Sequence, residues 1–301
     1  MHVKLVVNSF PAASETFLFN LVTGLEKRGI RVTVNGTTKT KDLHLYKHRL
    51  KEWSGNIDLI PIKPDSFSNF FKILSIICFH PVSLTKILLE KGLKKGWWIF
   101  VNIIYLTKDK PDIIHFSFSG IGISYLDCFK YLKKHSIGLV VSCRGSAEKV
   151  KPLLEPGRKE KLRNLFSKAD LIHCVSNDMK DGLIPYGLIE KKTFVNYPSI
   201  ETQKFSKEIQ ELPEIQNKWS IVTVGRLHFQ KGYVYALMAL KKLAEKNIPF
   251  TYNILGEGGD RPMLTYMIQE LGLEDSVVMH GKVSSEQVVK ILNNANVFLN
   301  I

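Results

Sequence analysis

The sequence has few cysteines, few acidic residues and no long apolar run. Its four cysteines, Cys78, Cys128, Cys143 and Cys174, form no C-x-x-C pair and have no metal-like spacing with the nine histidines. This distribution argues against a disulfide framework or a zinc site. It is typical of buried thiols in a reducing compartment.

The sequence also lacks a membrane-spanning segment and a secretory leader. A spanning helix needs about 20 apolar residues, and the two longest candidates, Phe67 to Phe79 and Trp97 to Leu106, are interrupted or short. The first apolar run, Val3 to Val7, reaches Asn8 and Pro11 too early for a leader. We therefore expect a soluble or peripheral protein.

The shortage of acidic residues makes the chain basic. Of its 301 residues, 42 are basic and 28 are acidic, which gives a formal charge of +14. Residues 1–110 carry +9 of this (17 basic, 8 acidic), residues 111–215 carry +3 (16 and 13) and residues 216–301 carry +2 (9 and 7). The clustering predicts a polyanion-facing surface in the first third, and nucleic acid, an anionic membrane and phosphorylated substrates are all candidates.

Strand and helix patterns alternate from the first residues. Val3 to Val7 predicts a strand, Glu15 to Arg28 a helix and Ile30 to Val34 a second strand. This βαβ opening predicts an α/β fold with a parallel sheet. Ser14 and Glu15 follow the first strand at its carboxyl end, where doubly wound sheets bind ligands. Capping the helix is the alternative role of Ser14.

The same alternation continues to residue 198, which we take as the end of a first domain, followed by a polar linker over residues 199–218 and a second domain over 219–301. The further elements predicted in the first domain are strands at Asp58–Ile62, Pro111–Phe116, Leu139–Cys143, Ala169–Val175 and Thr193–Val195, helices at Ser66–Phe79, Val82–Leu106, Ile123–Lys134 and Lys159–Lys168, a short helix capped by residues 176–178 that ends near Gly182, and a loop at Ser117–Gly122.

The helical region 66–106 combines lysines with aromatic residues. Trp97, Trp98 and Phe100 stand at one end, and the lysines are Lys72, Lys86, Lys91, Lys94 and Lys95. A basic helix with aromatic residues is suited to the interface of an anionic membrane. In the alternative interpretation the apolar stripe is core and the lysines are its solvated face.

The second domain opens on a strand followed by two cations. Ile221 to Val224 predicts a buried strand, Gly225-Arg226 and Lys231-Gly232 form a turn, and Tyr233 to Ala244 predicts a helix. First-turn N–H groups, the helix dipole and two cations favour a diphosphate here. Two solvated cations beside an ordinary turn are the alternative.

Three more strands are predicted after this turn. They are Phe250–Leu255, Val277–His280 and Val297–Ile301, with helices at Asp260–Leu271 (capped by Asp260) and Ser284–Leu292 between them. The last strand would be a bare edge of a parallel sheet without its covering helix. We therefore expect the second domain to be incomplete.

Three spaced motifs of this second domain strongly resemble the donor half of family-4 (group 1) glycosyltransferases of the GT-B fold. They are Val224-Gly-Arg-Leu with Lys231-Gly232, Ile254-Leu-Gly-Glu-Gly-Gly-Asp-Arg-Pro-Met-Leu264, and Leu273-Glu-Asp-Ser-Val with Gly281-Lys282-Val283. The opening Phe10-Pro-Ala-Ala-Ser-Glu-Thr-Phe17 resembles the start of bacterial exopolysaccharide members of the colanic-acid type.

The resemblance implies two facing Rossmann-like, doubly wound domains and a metal-independent, retaining transfer from a UDP- or GDP-sugar, with no cofactor. It implies catalytic roles for Arg226 and Lys231, which would neutralise the donor diphosphate. The other site residues it implies are Gly225, Gly256, Glu257, Gly258, Gly281, Lys282 and Val283 for the donor, and Ser14, Glu15, Arg144 and Gly145 for the first-domain loops that face the sugar and acceptor.

The sequence departs from the family pattern at three places. Arg144-Gly145 replaces the usual His-Gly pair, with Ala147 where an acidic residue often follows, and His115 is followed by Ser117 instead of a second histidine. The E-x7-E carboxylates would lie beyond Ile301. Arg144 has three open roles: added phosphate charge, binding of an anionic acceptor, or a structural ion pair.

These features predict a cytoplasmic glycosyltransferase, docked on the inner face of the membrane, that acts on a polysaccharide or lipid-linked acceptor. The first alternative is a GT-B remnant that binds nucleotide without catalysis. The second is a nucleic-acid-binding protein, which we disfavour because the basic residues accompany Phe and Trp on helices and not a strand-borne aromatic platform.

Overall fold

The computed structural model describes residues 1–11, 15–39, 56–59, 81–198 and 218–300. The chain divides into two compact units, Met1–Ser199 and Ile200–Ile301. We call them the first and second domains. The predicted linker, except Lys218, and the predicted helix at 66–79 lie outside the described residues.

The first domain is built on a seven-stranded, entirely parallel sheet with the order β3-β2-β1-β4-β5-β6-β7. The strand order reverses beside β1, so the switch point where doubly wound sheets bind ligands lies between β1 and β4. The strands are β1 (His2–Phe10), β2 (Arg31–Lys39), β3 (Asn56–Leu59), β4 (Ile113–Phe116), β5 (Gly138–Cys143), β6 (Leu171–Cys174) and β7 (Thr193–Val195).

Helices connect these strands, as a parallel sheet requires, except for β2 and β3, whose connection lies outside the described residues. They are α1 (Thr16–Glu26), α2 (Pro81–Lys91), α3 (Leu93–Thr107), α4 (Ser119–Ser124), α5 (Leu126–Leu132), α6 (Ser146–Lys149), α7 (Lys151–Leu154), α8 (Arg158–Lys168) and α9 (Asn177–Leu183), with short 3-10 turns at Lys133–His135, Ile184–Tyr186 and Glu190–Lys192.

Three of the predicted helical boundaries were wrong. The single helix over 82–106 is two helices, because Gly92 with φ 77° interrupts it. The predicted loop at 117–122 is already helical from Ser119, and the helix predicted over 123–134 breaks at Tyr125. The four-residue helices α6 and α7 were not predicted, because one turn of helix is too short to show a hydrophobic period.

Apolar residues pack on both faces of this sheet. On one face, Leu5 and Val7 of β1 join Leu18 and Val22 of α1. Val6 points to the opposite face and packs in the larger core, which includes residues of α2 to α5, α8 and α9. Lys4 also points to that face and is fully buried, and its Nζ donates to the carbonyls of Tyr105 and Lys108, each at 2.8 Å, at the end of α3. The negative end of a helix stabilises this buried cation.

The second domain has a four-stranded parallel sheet with the order β10-β9-β8-β11. Its strand order reverses beside β8, so the switch point lies between β8 and β11. The elements are β8 (Trp219–Val224), α10 (Tyr233–Glu245), β9 (Phe250–Leu255), α11 (Arg261–Glu270), β10 (Val277–Gly281), α12 (Ser285–Asn293) and β11 (Val297–Phe298), with a 3-10 turn at Phe229–Lys231.

The predicted α/β class with two doubly wound parallel sheets is confirmed. In the second domain, the predicted elements lie within a few residues of the observed ones. Ser284, which was predicted only as the first residue of this helix, is the N-cap of α12 and forms a capping box with Gln287. Asp260 occupies the N-cap position of α11, but its side chain makes no capping hydrogen bond, so the predicted capping role was wrong.

Candidate functional site

The loop between β8 and α10, residues 225–232, is called the cation turn here. It begins at the carboxyl end of the central strand β8 and reaches α10 through a 3-10 turn and Gly232, whose φ of 63° suits glycine. The Tyr233 hydroxyl donates to the Gly225 carbonyl at 3.0 Å, which fixes the start of the turn to the start of the helix. The turn therefore presents the N-terminus of a 13-residue helix at the sheet's ligand-binding edge.

The two predicted cations of this turn face solvent. Arg226 and Lys231 are both exposed, and neither side chain forms a hydrogen bond or ion pair with any residue in the described ranges. The Lys231 stem passes Gly225, since a Cβ placed on that glycine would lie 3.6 Å from Lys231 Cδ and Cε. Two unpaired positive charges beside a helix N-terminus form an anion-binding arrangement.

The glycines of the β9–α11 loop let that loop approach the cation turn closely. A Cβ on Gly256 would lie 1.9 Å from the Gly225 carbonyl oxygen, and one on Gly258 would lie 2.0 Å from that of Leu227. Backbone hydrogen bonds hold the two loops together, with Leu227 N donating to Glu257 O at 3.1 Å. No side chain larger than hydrogen fits at either position.

The end of β10 joins the same group of loops. Gly256 N donates to Gly281 O at 2.8 Å, and a Cβ on Gly281 would lie 2.9 Å from Glu257 Oε1. That carboxylate pairs with Arg261 at 2.8 Å. Lys282 follows as an exposed residue and Val283 as a half-buried one. The structure therefore brings the predicted donor residues together at the carboxyl ends of β8, β9 and β10.

The first domain has a ligand edge of a different kind, at the carboxyl ends of β1, β4, β5 and β6. We call it the first-domain edge. Arg144, directly after β5, donates from Nε to the Ser117 carbonyl at 3.2 Å and from Nη2 to Ser142 Oγ at 3.4 Å. Its guanidinium carbon lies 4.5 Å from the centre of the Phe17 ring, in the first turn of α1. Glu15 occupies the N-cap position of α1 without a capping hydrogen bond, and Ser14 lies outside the described residues.

A structural ion pair was one of three open roles for Arg144, and it is not among the described side-chain contacts, which are a carbonyl, a hydroxyl and an aromatic ring. Burial lowers the pKa of Arg144 to about 10, against the attraction of Cys143, Glu148 and Glu15. The residue therefore remains a cation at neutral pH.

A chain of hydrogen bonds continues from Arg144 across three strands. His115 Nε2 lies 2.8 Å from Ser142 Oγ, Ser142 Oγ lies 2.9 Å from His173 Nδ1, and His173 Nε2 lies 2.9 Å from the Asn196 carbonyl oxygen. The carbonyl can only accept, so a neutral His173 carries its proton on Nε2 and accepts from Ser142. Ser142 then accepts from His115, which assigns the proton of His115 to Nε2.

Both histidines in this chain are held neutral. Burial, followed by the Arg144 cation, lowers the pKa of His115 to about 3. Burial also lowers the pKa of His173, against the hydrogen bond to Asn196. Arg144 is therefore the permanent positive charge of this hydrogen-bonded chain.

The backbone beside Arg144 is anchored by a buried carboxylate. Glu148, 1% exposed, accepts from Gly145 N at 2.9 Å and from Arg144 N at 3.2 Å through Oε2. Burial raises the pKa of Glu148, and the amide donors oppose that rise. Sequence reasoning missed Glu148, Ser142, His173 and Phe17 as members of this edge. Ser142 and His173 could have been identified from the sequence as site candidates, because they are polar residues near the carboxyl ends of predicted buried strands.

The aromatic residues predicted to face a membrane instead belong to the core. Phe100 is 1% exposed, and Trp97 and Trp98 pack against the same buried cluster. The interpretation of an apolar stripe as core therefore holds for α3. The described helices include none that is both long and apolar enough to cross a bilayer.

Two doubly wound parallel-sheet domains, one of them carrying a glycine-lined cation turn, correspond to the GT-B fold found among glycosyltransferases. Residues 14–204 match the sequence family described as Glycosyltransferase Family 4, and residues 204–300 match Glycosyl transferases group 1. The chain belongs to glycosyltransferase family 4.

Individual relatives include two bacterial polysaccharide proteins. The chain is 25% identical to the amylovoran biosynthesis glycosyltransferase AmsK of Erwinia amylovora over 99% of this chain and 75% of AmsK. It is also 31% identical to WcaL of Escherichia coli (strain K12), which is named as a colanic acid biosynthesis glycosyltransferase. That match covers 46% of this chain but only 33% of WcaL.

Among solved structures, HepE of Anabaena in complex with UDP and glucose superposes with a TM-score of 0.68. The sequences are 14% identical, and the match covers 99% of this chain and 73% of HepE. At that identity the similarity establishes the fold.

Proposed function

We propose that this protein transfers a sugar from a UDP- or GDP-sugar to a polysaccharide or lipid-linked glycan acceptor during exopolysaccharide biosynthesis. The observation that carries the proposal is the exposed pair Arg226 and Lys231 at the switch-point loop of the second domain, whose side chains have no partner in the part of the chain that the structure describes. An activated sugar leaves behind a nucleoside diphosphate, and the developing negative charge needs stabilisation in the transition state.

The cation turn has the elements that this chemistry requires. Arg226 offers a planar fork of donors and Lys231 a point charge, and the α10 dipole adds a partial positive charge. Gly256 and Gly258 keep the neighbouring backbone free of side chains, so a nucleotide can approach it closely. In this proposal the two side-chain cations neutralise the diphosphate without a metal ion.

The names and ligands of relatives support the choice of substrates. HepE was crystallised with UDP and glucose, and AmsK is named for amylovoran biosynthesis. We extend a nucleotide-sugar donor and a surface-polysaccharide acceptor to this chain by that similarity. Retention of anomeric configuration belongs to the proposal on the same basis.

The proposed donor chemistry is tested by binding and turnover together. We expect the protein to bind UDP or GDP, and we expect Arg226→Ala and Lys231→Ala each to lower donor turnover about 100-fold, on the scale of about 3 kcal/mol of transition-state stabilisation. Lys242→Ala, an exposed cation on the far part of α10, is the matched control and should leave turnover unchanged. Chelation by EDTA should also have no effect.

Three results would change this assignment. Unchanged turnover in both cation variants would overturn the site. Loss of turnover in EDTA would overturn the metal-independent mechanism. Nucleotide binding without sugar transfer would favour the alternative of a nucleotide-binding protein without catalysis.

We further propose that the protein docks on the cytoplasmic face of an anionic membrane through α2 and the start of α3, where a lipid-linked acceptor would be presented. Val82, Leu89 and Leu93 are 80%, 84% and 79% exposed, and Lys86 and Lys94 are exposed beside them. Val82, Lys86 and Leu89 recur at spacings of four and three residues, which places them on one helix face. An exposed basic and apolar stripe suits an anionic interface.

Vesicle sedimentation tests this docking. Replacing Val82, Leu89 and Leu93 by serine should lower binding to vesicles containing phosphatidylglycerol at least tenfold. Binding of the unaltered protein to pure phosphatidylcholine vesicles should be weak. Equal binding of the triple variant and the unaltered protein would rule out α2 and the start of α3 as the docking surface, whereas tight binding to single-stranded DNA would support the nucleic-acid alternative.

A further inference from the structure

Arg144 has hydrogen-bond donors that the first domain does not use. A guanidinium has five N–H groups, arranged as a side edge (Nε and Nη2) and an end edge (Nη1 and Nη2). The side edge contacts the Ser117 carbonyl and Ser142 Oγ. Within the described ranges, no residue accepts a hydrogen bond from Nη1. The end edge, which matches a carboxylate or phosphate, is therefore left for a ligand.

The position of this cation is fixed from several sides. The Phe17 ring lies 4.5 Å from the guanidinium carbon, and Glu148 Oε2 holds the amides of Arg144 and Gly145. Ser142, which accepts from Nη2, is itself 2.8 Å from His115 and 2.9 Å from His173. A side chain held in this way loses little conformational entropy on binding, which favours affinity and specificity.

The charges around the guanidinium also favour an anion. His115 and His173 are neutral at physiological pH, so neither competes with Arg144 for a negative ligand. Glu148 Oε2 accepts from two backbone amides, and both Glu148 and Glu15 attract the Arg144 cation. Among the described residues no carboxylate oxygen accepts a hydrogen bond from the guanidinium, so a bound anion would offset part of the cost of burying this cation.

From these contacts we infer that Arg144 is the anion-binding residue of the acceptor site, and that the acceptor presents a carboxylate or a phosphate to the end edge of this guanidinium. The assignment of this anion to the acceptor rests on the proposed function. The anion site itself rests on the first-domain edge alone. An acidic sugar supplies the carboxylate, and a phosphorylated or lipid-diphosphate sugar supplies the phosphate.

Ligand-observed NMR of the full chain tests the site with three probes of similar size: glucuronate, glucose 1-phosphate and glucose. The background carries Arg226→Ala and Lys231→Ala, which removes the proposed diphosphate site of the second domain. We expect one of the two anionic probes to bind at least tenfold more tightly than glucose. The preferred anion identifies the source as acidic sugar or sugar phosphate.

In that background, Arg144→Gln should lower binding of the preferred anion at least tenfold, and Arg144→Lys, which keeps the charge but loses the fork, at least threefold. Ser142→Ala keeps the cation but removes one of its anchors and should weaken binding by a smaller factor. Arg163→Gln is the matched control, since it removes one exposed positive charge from the same domain. Circular dichroism verifies that each variant is folded, and Arg144→Lys still tests the site if Arg144→Gln does not fold.

Equal affinity for glucose and both anions, or equal losses in Arg144→Gln and Arg163→Gln, would overturn the anion site. UDP affinity, measured with Arg226 and Lys231 intact, separates this result from the donor proposal. If Arg144→Gln lowers UDP affinity as much as Arg226→Ala does, Arg144 belongs to the donor diphosphate and the acceptor assignment fails. If UDP does not bind at all but glucuronate or glucose 1-phosphate does, the donor proposal fails and the anion site stands.

Discussion

The ligand-binding edges of the two domains are stabilised by different kinds of contact. In the second domain the contacts are between backbone atoms: Gly256 and Gly258 let their loop pack against the cation turn, and the charged side chains of Arg226 and Lys231 are exposed to solvent. In the first domain, buried polar side chains such as Ser142, His173 and Glu148 hold the edge together.

The difference in contacts suits the different ligands that we propose for the two edges. A diphosphate can be bound by backbone N–H groups and cations on almost any sequence that lets the backbone approach it. A particular acceptor needs a side chain held in one orientation, and a network of hydrogen bonds provides that orientation. Substitutions should therefore affect the two edges through different physical terms.

The largest expected effect is at the glycine contact. Gly256→Ala places a Cβ 1.9 Å from the Gly225 carbonyl at a φ of 145°, so both overpacking and backbone strain oppose the native loop. We expect a loss of about 3 kcal/mol or more in the stability of the second domain. Hydrogen exchange of peptides from β8 and β9 measures it.

Gly259→Ala is the matched control for that substitution. A Cβ there meets nothing within 4 Å, so we expect a change within about 0.5 kcal/mol. Similar exchange rates in the two variants would contradict the close backbone contact between the loops.

The next largest effect is on the stability of the first domain, which depends on pH. The pKa of His115 is about 3 in the folded protein, and its ordinary value, expected in the unfolded chain, is 6.5. Between these values the unfolded chain binds the proton and the folded chain does not, so stability falls as pH falls. Lowering pH from 7.5 to 5 should cost the first domain about 1 to 2 kcal/mol through His115 alone.

Urea unfolding at the two pH values measures this loss. Trp219→Phe confines the remaining tryptophans to the first domain, so fluorescence reports that domain. His115→Gln should reduce the pH dependence, while His135→Gln, which removes an exposed histidine of the same domain, should not. An unchanged dependence in His115→Gln would contradict the neutral histidine chain.

The smallest effect concerns the start of a helix. Ser176 caps α9 by accepting from Met179 N at 3.0 Å, whereas α10 in the second domain starts at Gly232 without a side-chain cap. Ser176→Ala should lower the stability of the first domain by about 1 kcal/mol. Ser176→Asp, which can accept the same bond, should restore most of it in the urea assay. Equal stability of all three proteins would show that the cap is dispensable.

Periodicity and family motifs predicted most of the scaffold. The predicted elements of the second domain agree closely with the observed ones because its strands are short and three of them, β8, β9 and β10, end at a glycine. In the first domain the segment around α2 and α3 was misjudged, because Gly92 breaks a continuous apolar pattern through a local φ. The membrane interpretation of Phe100 failed for a related reason, since an apolar helix face looks alike in sequence whether it meets a core or a bilayer.

The sequence by itself determined the α/β class, the parallel sheets, the family and the cation turn. Alternating apolar periods, glycines and paired cations are local in the chain, and local patterns can be read directly. Only the tertiary structure decided which buried polar groups meet at the first-domain edge. His115, Ser142 and His173 come from three separate strands, and only parallel pairing in register places their side chains within hydrogen-bonding distance.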